Sequence, residues 1–504
     1  MTDTIKKSLA ATFSSRILAA GLNIVVVPIY LSLLGRESYG LLGIFASLQV
    51  LVSFLDFGLG TTLTREFSRL DRSSESKQVM SDLAKASEVV YIAVAGCMTL
   101  IFFISVPWIV NHWIQLGDLN SSVAERALLI GGVALAIQWP SNLYYAGLAG
   151  LNRQVLIGVL TATNATFRVG LTLMALYFIG ASVEVFFAVQ VVCSVFQVLV
   201  ARYFMCRELP KSSKFDLCKS RLVAVRRFAG AMTAISICSI LFTQLDKIVL
   251  SSTLELKDFG LYSLTNSLAA GLYVAISPFF SVIYPKFSAL IGSSEKKDIL
   301  VFYHKSTQLV SFIVVPVAVI FAFFAQMIMF TWTGDLALSD QARWPLIFLI
   351  LGNSLNGMMN VSYAVQLAAD KPKIALYSNI CAILFLIPSI YFLATKYGPA
   401  GGAFAWFILN VLYASISQYI THRKIFSEGL WRWYASDVGV PVVVSTSICV
   451  LFYMFQPDSL SRVESGIYIV VTYLAVCSAA IGSLPLVRAE AAKMLRNRFA
   501  SRTF

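Results

Sequence analysis

Residues 89–110 read VVYIAVAGCMTLIFFISVPWIV, a run of 22 residues without a charged side chain. At about 1.5 Å per residue, a helix of this length crosses a hydrocarbon core of roughly 30 Å. The run is continuously apolar instead of alternating, which indicates a membrane helix and not a barrel strand. The whole chain of 504 residues shares this character, because 58% of it is hydrophobic and only 13% is charged.

Similar apolar segments on both sides of this run predict about fourteen transmembrane helices, so the sequence predicts an all-α polytopic membrane protein. The first six lie at 12–34, 39–64, 87–110, 127–150, 155–179 and 183–205. Six more lie at 230–252, 259–284, 306–332, 345–368, 374–395 and 402–420, and two follow at 436–456 and 466–486.

The basic residues predict the orientation of these helices. With a cytoplasmic amino terminus, 30 of the 39 lysines and arginines fall on inner loops, 6 on outer loops and 3 within spans. Because short cytoplasmic loops are enriched in Lys and Arg, both termini are predicted to be cytoplasmic. The net charge of +13 is then explained by attraction to anionic membrane lipids, and no nucleic acid partner is predicted. The eight cysteines lack metal-ligand spacing, so neither a metal nor a cofactor is predicted.

An offset of 220 in sequence number superimposes the first six predicted spans on the next six. Residues 39–70 and 259–290 then share seven identities, among them Gly40 with Gly260 and Phe67 with Phe287. Six helices preserve membrane orientation, so this is a parallel repeat of two six-helix lobes, which favours a central cleft and alternating access. The predicted domains are an N-terminal lobe at 1–210, a basic cytoplasmic linker at 211–228, a C-terminal lobe at 229–425, and two extra helices with a basic tail at 426–504.

Charged residues within the predicted spans are the first candidates for a functional site. Each costs about 2.5–3.5 kcal/mol at the centre of a bilayer, so it needs a reason to be there. Arg16, Arg168 and Lys247 are the basic candidates for substrate binding, and Asp56 and Asp246 are the acidic candidates for proton or ion coupling. Arg16 and Asp56 lie at similar predicted depths, and a purely structural ion pair between them is an equally open interpretation.

Polar amides in the same spans extend this candidate site. Gln138, Asn164 and Gln244 could hydrogen-bond a sugar, with Trp139 as an aromatic neighbour, although a helix-to-helix hydrogen bond worth about 1 kcal/mol is the alternative for each amide. Three buried cations against two carboxylates favour a ligand that carries negative charge.

Three segments of the chain resemble the polysaccharide transporter family, which includes the O-antigen flippases of Gram-negative bacteria. They are FLDFGLGTTLTREFSR at 54–69, GLAGLNRQVLIGVLTATNATFRVGL at 147–171, and QLDKIVLSSTLELKDFGLYSL at 244–264. The resemblance covers most of the chain through the twelfth span and extends more distantly to lipid II flippases and to multidrug and toxin extrusion transporters.

This resemblance implies a carrier, not an enzyme, in the bacterial inner membrane. It would move an undecaprenyl diphosphate-linked oligosaccharide from the cytoplasmic to the periplasmic leaflet, with a polysaccharide polymerase as a further partner. Arg16, Arg168 and Lys247 are similar in kind to the family's basic cavity residues. Two alternatives stay open. A membrane oligosaccharide polymerase or ligase is disfavoured by the short outer loops, and a cation-coupled multidrug exporter is disfavoured by the excess of buried bases.

Overall fold

The computed structural model describes residues 2–54, 56, 58–69, 74–210, 243–293, 296–426, 429–457, 459–484 and 488. Within these residues the chain is helical and contains no β-strand, apart from an isolated bridge between Gln115 and Glu255. The predicted all-α class is therefore confirmed for this part of the chain. The chain divides into two compact units, Met1–Ser263 and Leu264–Phe504, and the division falls within a helix.

The first unit begins with a helix of 53 residues and continues with shorter helices. In chain order they are α1 (Thr2–Phe54), α2 (Leu59–Arg69), α3 (Ser74–Trp108) with a π-helical end at Ile109–Trp113, α4 (Ser121–Gln138), α5 (Ser141–Gly150), α6 (Gln154–Phe178), α7 (Val183–Glu208), α8 (243–253) and the start of α9 (Leu256–Ser293).

The second unit contains the rest of α9 and the helices that follow it. They are α10 (Lys296–Thr333), α11 (Leu336–Ala368), α12 (Pro372–Thr421), the π-helical segment His422–Phe426, α13 (Leu430–Arg432), the π-helical segment Trp433–Gly439, α14 (Val440–Met454) and α15 (Arg462–Ser483).

Two predicted loops between spans are single-residue kinks. Gly35 has φ 81° and ψ 169° inside α1, and Gly398 has φ 59° and ψ −142° inside α12. Glycine reaches these left-handed angles without the steric penalty of a Cβ atom, so the chain changes direction there without a loop. Conversely, two predicted spans are interrupted. The span 39–64 is broken by the turn around Asp56 and Gly58, and the span 127–150 is broken at Pro140, between α4 and α5.

Ten helical stretches within the described residues are long and apolar enough to cross a membrane. Two of them, Ile17–Ser53 and Lys373–Phe426, contain the glycine kinks and each cover two predicted spans. The predicted span 230–252 is described only from residue 243, and the predicted linker 211–228 lies outside the described residues. The count of fourteen helices and the domain boundaries therefore stay predictions.

Backbone turns recur at a constant separation along the chain. Asn152 and Asp370 both have positive φ, at 59° and 54°, and so do Gly180 and Gly398, at 154° and 59°. The two members of each pair are separated by the same distance in sequence number, which is slightly shorter than the predicted offset. This order of helices and turns favours a duplication, and the offset of 220 itself stays a prediction.

α2 and α5 pack so closely that the position of Gly150 leaves no room for a side chain. Thr64 Oγ1 donates a hydrogen bond of 2.9 Å to the carbonyl oxygen of Ala146. A Cβ atom added to Gly150 would lie 2.6 Å from Phe67 Cβ and 2.9 Å from the carbonyl oxygen of Thr64. Neither atom is the end of a flexible side chain, so the two helices would have to move apart.

We expect Gly150→Ala to destabilise the protein by about 1–3 kcal/mol, the usual cost of overpacking. Thermal unfolding of the purified protein in detergent measures this as a lower midpoint. Gly170→Ala is the matched control, because a Cβ atom at Gly170 on α6 meets nothing within 4 Å. Equal midpoints for the two variants would contradict the close approach of α2 and α5.

The last two helices of the second unit pack on α10. Arg462, the first residue of α15, donates from Nε to the carbonyl oxygen of Thr331 at 2.9 Å and from Nη2 to that of Trp332 at 2.8 Å. These carbonyl groups belong to the last turn of α10, where backbone acceptors have no partner within the helix. A capping box of Ser461 and Glu464 fixes the start of α15, and so the position of Arg462.

Candidate functional site

A group of polar side chains surrounds Arg168 in the apolar interior of the first unit. Arg168 is the fifteenth residue of α6, and its Nη2 donates to Oε1 of Gln138 and to Oε1 of Gln197, both at 3.3 Å. Asn164, one turn earlier on the same face of α6, donates from Nδ2 to Oε1 of Gln197 at 3.0 Å. The structure thus brings together three predicted site residues, Gln138, Asn164 and Arg168.

Neighbouring helices complete this group, which we call the arginine–amide cluster. Gln49 on α1 donates from Nε2 to Oε1 of Gln138 at 3.2 Å, and Gln197 on α7 donates from Nε2 to Oγ of Ser141 at 3.2 Å. The cluster consists of Gln49, Gln138, Ser141, Asn164, Arg168 and Gln197. It therefore draws one polar side chain or more from each of five helices, α1, α4, α5, α6 and α7.

The cluster carries a positive charge that no acidic side chain neutralises among the described residues. None of the ion pairs among the described residues includes Arg168. Its hydrogen-bond acceptors there are the neutral amide oxygens of Gln138 and Gln197. Its Nε is buried without a hydrogen-bond acceptor, and so is Oδ1 of Asn164 without a donor. A guanidinium has five N–H donors, so Arg168 keeps donor capacity for an incoming anionic or carbonyl oxygen.

Asp56 lies in the turn between α1 and α2, apart from this cluster. Its carboxylate accepts hydrogen bonds from the hydroxyl of Tyr91 and, at 2.9 Å, from the backbone N–H of Gly60. The ring of Tyr91 in turn stacks on Trp139, with centroids 4.5 Å apart, and Trp139 is buried. The side chain of Arg16 lies outside the described residues, so the pairing of Arg16 with Asp56 stays a prediction.

Asp246 and Lys247 form a pair of their own on α8. Lys247 Nζ lies 3.6 Å from Asp246 Oδ1 and also donates to the carbonyl oxygen of Thr243 at 3.4 Å. The hydroxyl of Tyr262 donates to Asp246 Oδ2 at 2.6 Å. Adjacent helical residues point about 100° apart, but the length of the lysine side chain lets Nζ return to its neighbour. Gln244 is buried on the same helix, with Oε1 unpaired among the described groups.

Several residues of this region were not singled out by sequence reasoning. Gln197 contacts three members of the arginine–amide cluster, Gln49 anchors Gln138, and Tyr91 and Tyr262 hold the two carboxylates. The sequence feature that could have identified the two glutamines is their position within otherwise apolar helices, where an amide without a hydrogen-bond partner is costly. The same signal marks Gln190 on α7, which bonds Thr172 at 3.4 Å and lies outside the cluster.

We expect Gln197→Leu to destabilise the protein more than Gln190→Leu. The first substitution removes an acceptor of Arg168 and Asn164 and the donor to Ser141, whereas the second removes one long hydrogen bond. Leaving buried donors unpaired costs about 1–3 kcal/mol, more when the donor is charged. The measurement is the thermal unfolding midpoint of the purified protein in detergent. If Gln190→Leu lowers the midpoint further, Gln197 does not organise the cluster.

Comparison with known proteins identifies relatives of this chain. Residues 5–291 match the family model described as "Polysaccharide biosynthesis protein". A Shigella flexneri protein described as a "Putative O-antigen transporter" is 22% identical over 391 residues, which cover 77% of this chain and 91% of the relative. A Salmonella typhimurium protein of the same description is 21% identical over 286 residues, covering 55% of this chain and 63% of that protein.

Solved structures of low sequence identity share the fold. The lipid II flippase MurJ in its inward closed conformation superimposes with a TM-score of 0.66 at 14% identity, covering 94% of this chain and 98% of MurJ. An inward-facing multidrug resistance transporter of the MATE family and MOP superfamily gives a TM-score of 0.60 at 16% identity, covering 83% and 96% of the two chains. The resemblance to the polysaccharide transporter family is thereby confirmed. Because its family model spans more than half of the chain, this membrane protein belongs to the polysaccharide biosynthesis protein family.

Proposed function

We propose that this protein is a flippase for an undecaprenyl diphosphate-linked oligosaccharide, such as an O-antigen unit. It would move this lipid from the cytoplasmic to the periplasmic leaflet of the bacterial inner membrane, with both of its own termini in the cytoplasm. The observation that carries the proposal is the uncompensated positive charge of Arg168 among amides. The family membership and the names of the curated relatives support it.

The chemistry of the arginine–amide cluster suits the head group of such a lipid. A diphosphate is an anion whose oxygens pair well with guanidinium N–H groups, and sugar hydroxyls exchange hydrogen bonds with amides. A charge within the apolar helices costs free energy, which a ligand of opposite charge would recover. The undecaprenyl tail needs no such groups, because it stays in hydrocarbon.

We propose alternating access as the mechanism, without covalent chemistry on the lipid. Proteins of this fold have been solved in both inward-facing and outward-facing conformations, which supports the proposal. Export of an anion from a negative interior gains about 2.3 kcal/mol per charge per 100 mV, so the membrane potential would assist it. Asp56 and Asp246 remain our candidates for ion coupling, and Arg16, Lys247 and Gln244 remain candidates for contact with the substrate.

Because the fold is similar to that of MATE transporters, drug export is the alternative function to test. Exporters of cationic drugs need a carboxylate that is free to meet the substrate. Here Asp246 is paired with Lys247 and Tyr262, and Asp56 with Tyr91 and Gly60. The described geometry therefore favours an anionic substrate.

Deletion of the gene and analysis of the lipid-linked intermediates test the proposed function. A flippase defect leaves complete oligosaccharide units on undecaprenyl diphosphate, protected from reagents that reach only the periplasmic face. Single units stranded on the periplasmic face would instead indicate a polymerase or ligase. Unchanged surface polysaccharide together with increased drug sensitivity would indicate a drug exporter. Either of these two results would overturn the proposal.

A further inference from the structure

A histidine and an aspartate meet in the interior of the second unit. Nδ1 of His304, on α10, contacts Oδ2 of Asp437, which belongs to the π-helical segment Trp433–Gly439. Their side chains are 1% and 0% exposed. The two residues are 133 positions apart in sequence, and neither was a candidate on sequence grounds.

Both oxygens of the Asp437 carboxylate have a hydrogen-bond partner. Gln308, one turn after His304, donates from Nε2 to Asp437 Oδ1 at 2.9 Å, so both carboxylate oxygens have a partner. Two other titratable rings lie near the pair: the ring centroid of Tyr303 is 5.7 Å from that of His304, and the ring centroid of His422 is 5.4 Å from that of Tyr303. The hydroxyl of Tyr303 bonds Ser362 and Gln418, not the pair. Lys305 and Arg432 are close in sequence, but both are exposed.

The second ring nitrogen of His304, Nε2, differs from Nδ1 because it has no hydrogen-bond partner among the described residues. Nε2 is also buried. It faces the backbone at Gly429, where an added Cβ atom would lie only 3.1 Å away, and Gly429 has a left-handed φ of 86°. Nδ1 and both carboxylate oxygens already have hydrogen-bond partners, so Nε2 is the ring position that is left to hold a further proton.

The number of protons on this pair decides whether its buried charges cancel. With a proton on Nε2, an imidazolium faces a carboxylate and the site is neutral. Without that proton, a neutral imidazole donates from Nδ1 to the carboxylate, and one negative charge is buried without compensation, which is unfavourable. The charge of this site therefore depends on one proton at the second ring nitrogen of His304.

The location of the pair links this proton to the packing of the C-terminal helices. α14 and α15 pack on α10, and Asp437 lies in the segment that leads into α14. At the other end of α10, α15 is held by the hydrogen bonds from Arg462 to the carbonyl groups of Thr331 and Trp332. π-Helical turns such as those on either side of α13 are rare and are often found at functional sites.

We propose that His304 and Asp437 form a proton-binding site that couples proton movement to the transport cycle. The ligand is a single proton at Nε2, which reaches water when the segment Trp433–Gly439 moves away from α10. This inference rests on the proposed function and adds an energy source to it. It is separate from Asp56 and Asp246, which lie in the other unit.

Nuclear magnetic resonance of labelled histidine tests the binding step directly. The chain has only three histidines, so a sample with ¹⁵N in this residue type gives three pairs of imidazole nitrogen signals. His112→Gln and His422→Gln assign two of the pairs, and His304 is identified without altering the site. We expect the His304 signals to show a proton on Nε2, because its loss would leave the carboxylate of Asp437 uncompensated, and we expect Asp437→Asn to weaken the binding of that proton. Absence of a proton on Nε2, or a proton there that Asp437→Asn does not affect, would overturn the inference.

Transport into vesicles tests the coupling step. In proteoliposomes with a labelled undecaprenyl diphosphate oligosaccharide, we expect a pH gradient to accelerate transport by the full-length protein. The double variant His304→Gln, Asp437→Asn replaces the pair by hydrogen-bonding groups that do not titrate, and we expect it to lose the response to the gradient. His422→Gln, at a second buried histidine of the same unit, is the matched control and should respond as the wild type does.

The outcomes separate the two proposals. A double variant that responds to the gradient as fully as the wild type does would overturn the coupling role and leave the flippase intact. A wild-type protein that moves no lipid under any condition would overturn the proposed function, and the histidine spectra would still decide whether the proton site exists. If the double variant does not accumulate, His304→Gln alone is measured in the same way.

Discussion

Replacing Arg168 with alanine is expected to abolish export of the lipid-linked oligosaccharide while the protein still accumulates in the membrane. Arg168 contributes the charge of the arginine–amide cluster, and a hydrogen bond to a charged group is worth about 1.5–3 kcal/mol, or roughly a 10- to 150-fold change in affinity. Folding should survive, because Gln138 keeps its bond to Gln49 and Gln197 keeps its bonds to Asn164 and Ser141.

Two further substitutions sharpen this result. Arg168→Lys keeps the charge but not the planar fork of donors, so we expect partial export. Arg153→Ala removes an arginine whose ion pair with Glu208 is on the surface, with the Arg153 side chain 51% exposed, and should leave export unchanged. The measurement is surface polysaccharide at matched protein levels. A normal amount of surface polysaccharide in Arg168→Ala would show that the arginine–amide cluster has no role in export.

Replacing Lys247 with methionine is expected to have the second largest effect. Asp246 would keep only Tyr262 as a partner while its side chain is 6% exposed. Removing one member of a buried ion pair typically costs about 3–5 kcal/mol, because the other charge stays buried. We therefore expect both lower accumulation and loss of export, measured by quantitative immunoblotting and by surface polysaccharide.

The double variant Asp246→Asn, Lys247→Met tests whether this ion pair has only a structural role or also takes part in transport. Removing both charges relieves the buried carboxylate, so accumulation should recover. Export should not recover if these charges take part in substrate binding or coupling, as proposed. Full recovery of export would assign the pair a structural role alone. Lys257→Met, which changes an exposed lysine at the start of α9, is the matched control and should behave as the wild type does.

The fold could be predicted from the sequence to the extent that it depends on apolar length. Each run of about 20 apolar residues within the described residues lies in helix, because lipid leaves the backbone few alternatives. The ends of the helices were less predictable. Residues 35–38 were expected to form a loop, but Gly35 alone turns the chain inside α1, and Pro140 divides a predicted span into α4 and α5.

The candidate site was only partly predictable because its partners come from distant helices. The cost of a charge in lipid identifies Arg168, but it does not say which amide lies opposite. Gln197 is 29 residues away on α7, and its position depends on the rotation of α6 and α7 about their axes. The contact between His304 and Asp437 was equally unpredictable, because these residues are 133 positions apart in sequence. For Asp246 and Lys247 the partner was adjacent, and the length of the lysine side chain brings Nζ to the neighbouring carboxylate.

The bonds from Arg462 to α10 have a consequence for any attempt to design a minimal version of this protein. A chain truncated after α12 would lack the two guanidinium donors that reach the carbonyl groups of Thr331 and Trp332. Carbonyl groups in the last turn of a helix have no partner within it, so in the shortened protein water or another donor would have to replace Arg462 near residue 331. The final helices are thus part of what keeps α10 intact, and fusion or excision at this end of the chain should retain α15 from Ser461 onward.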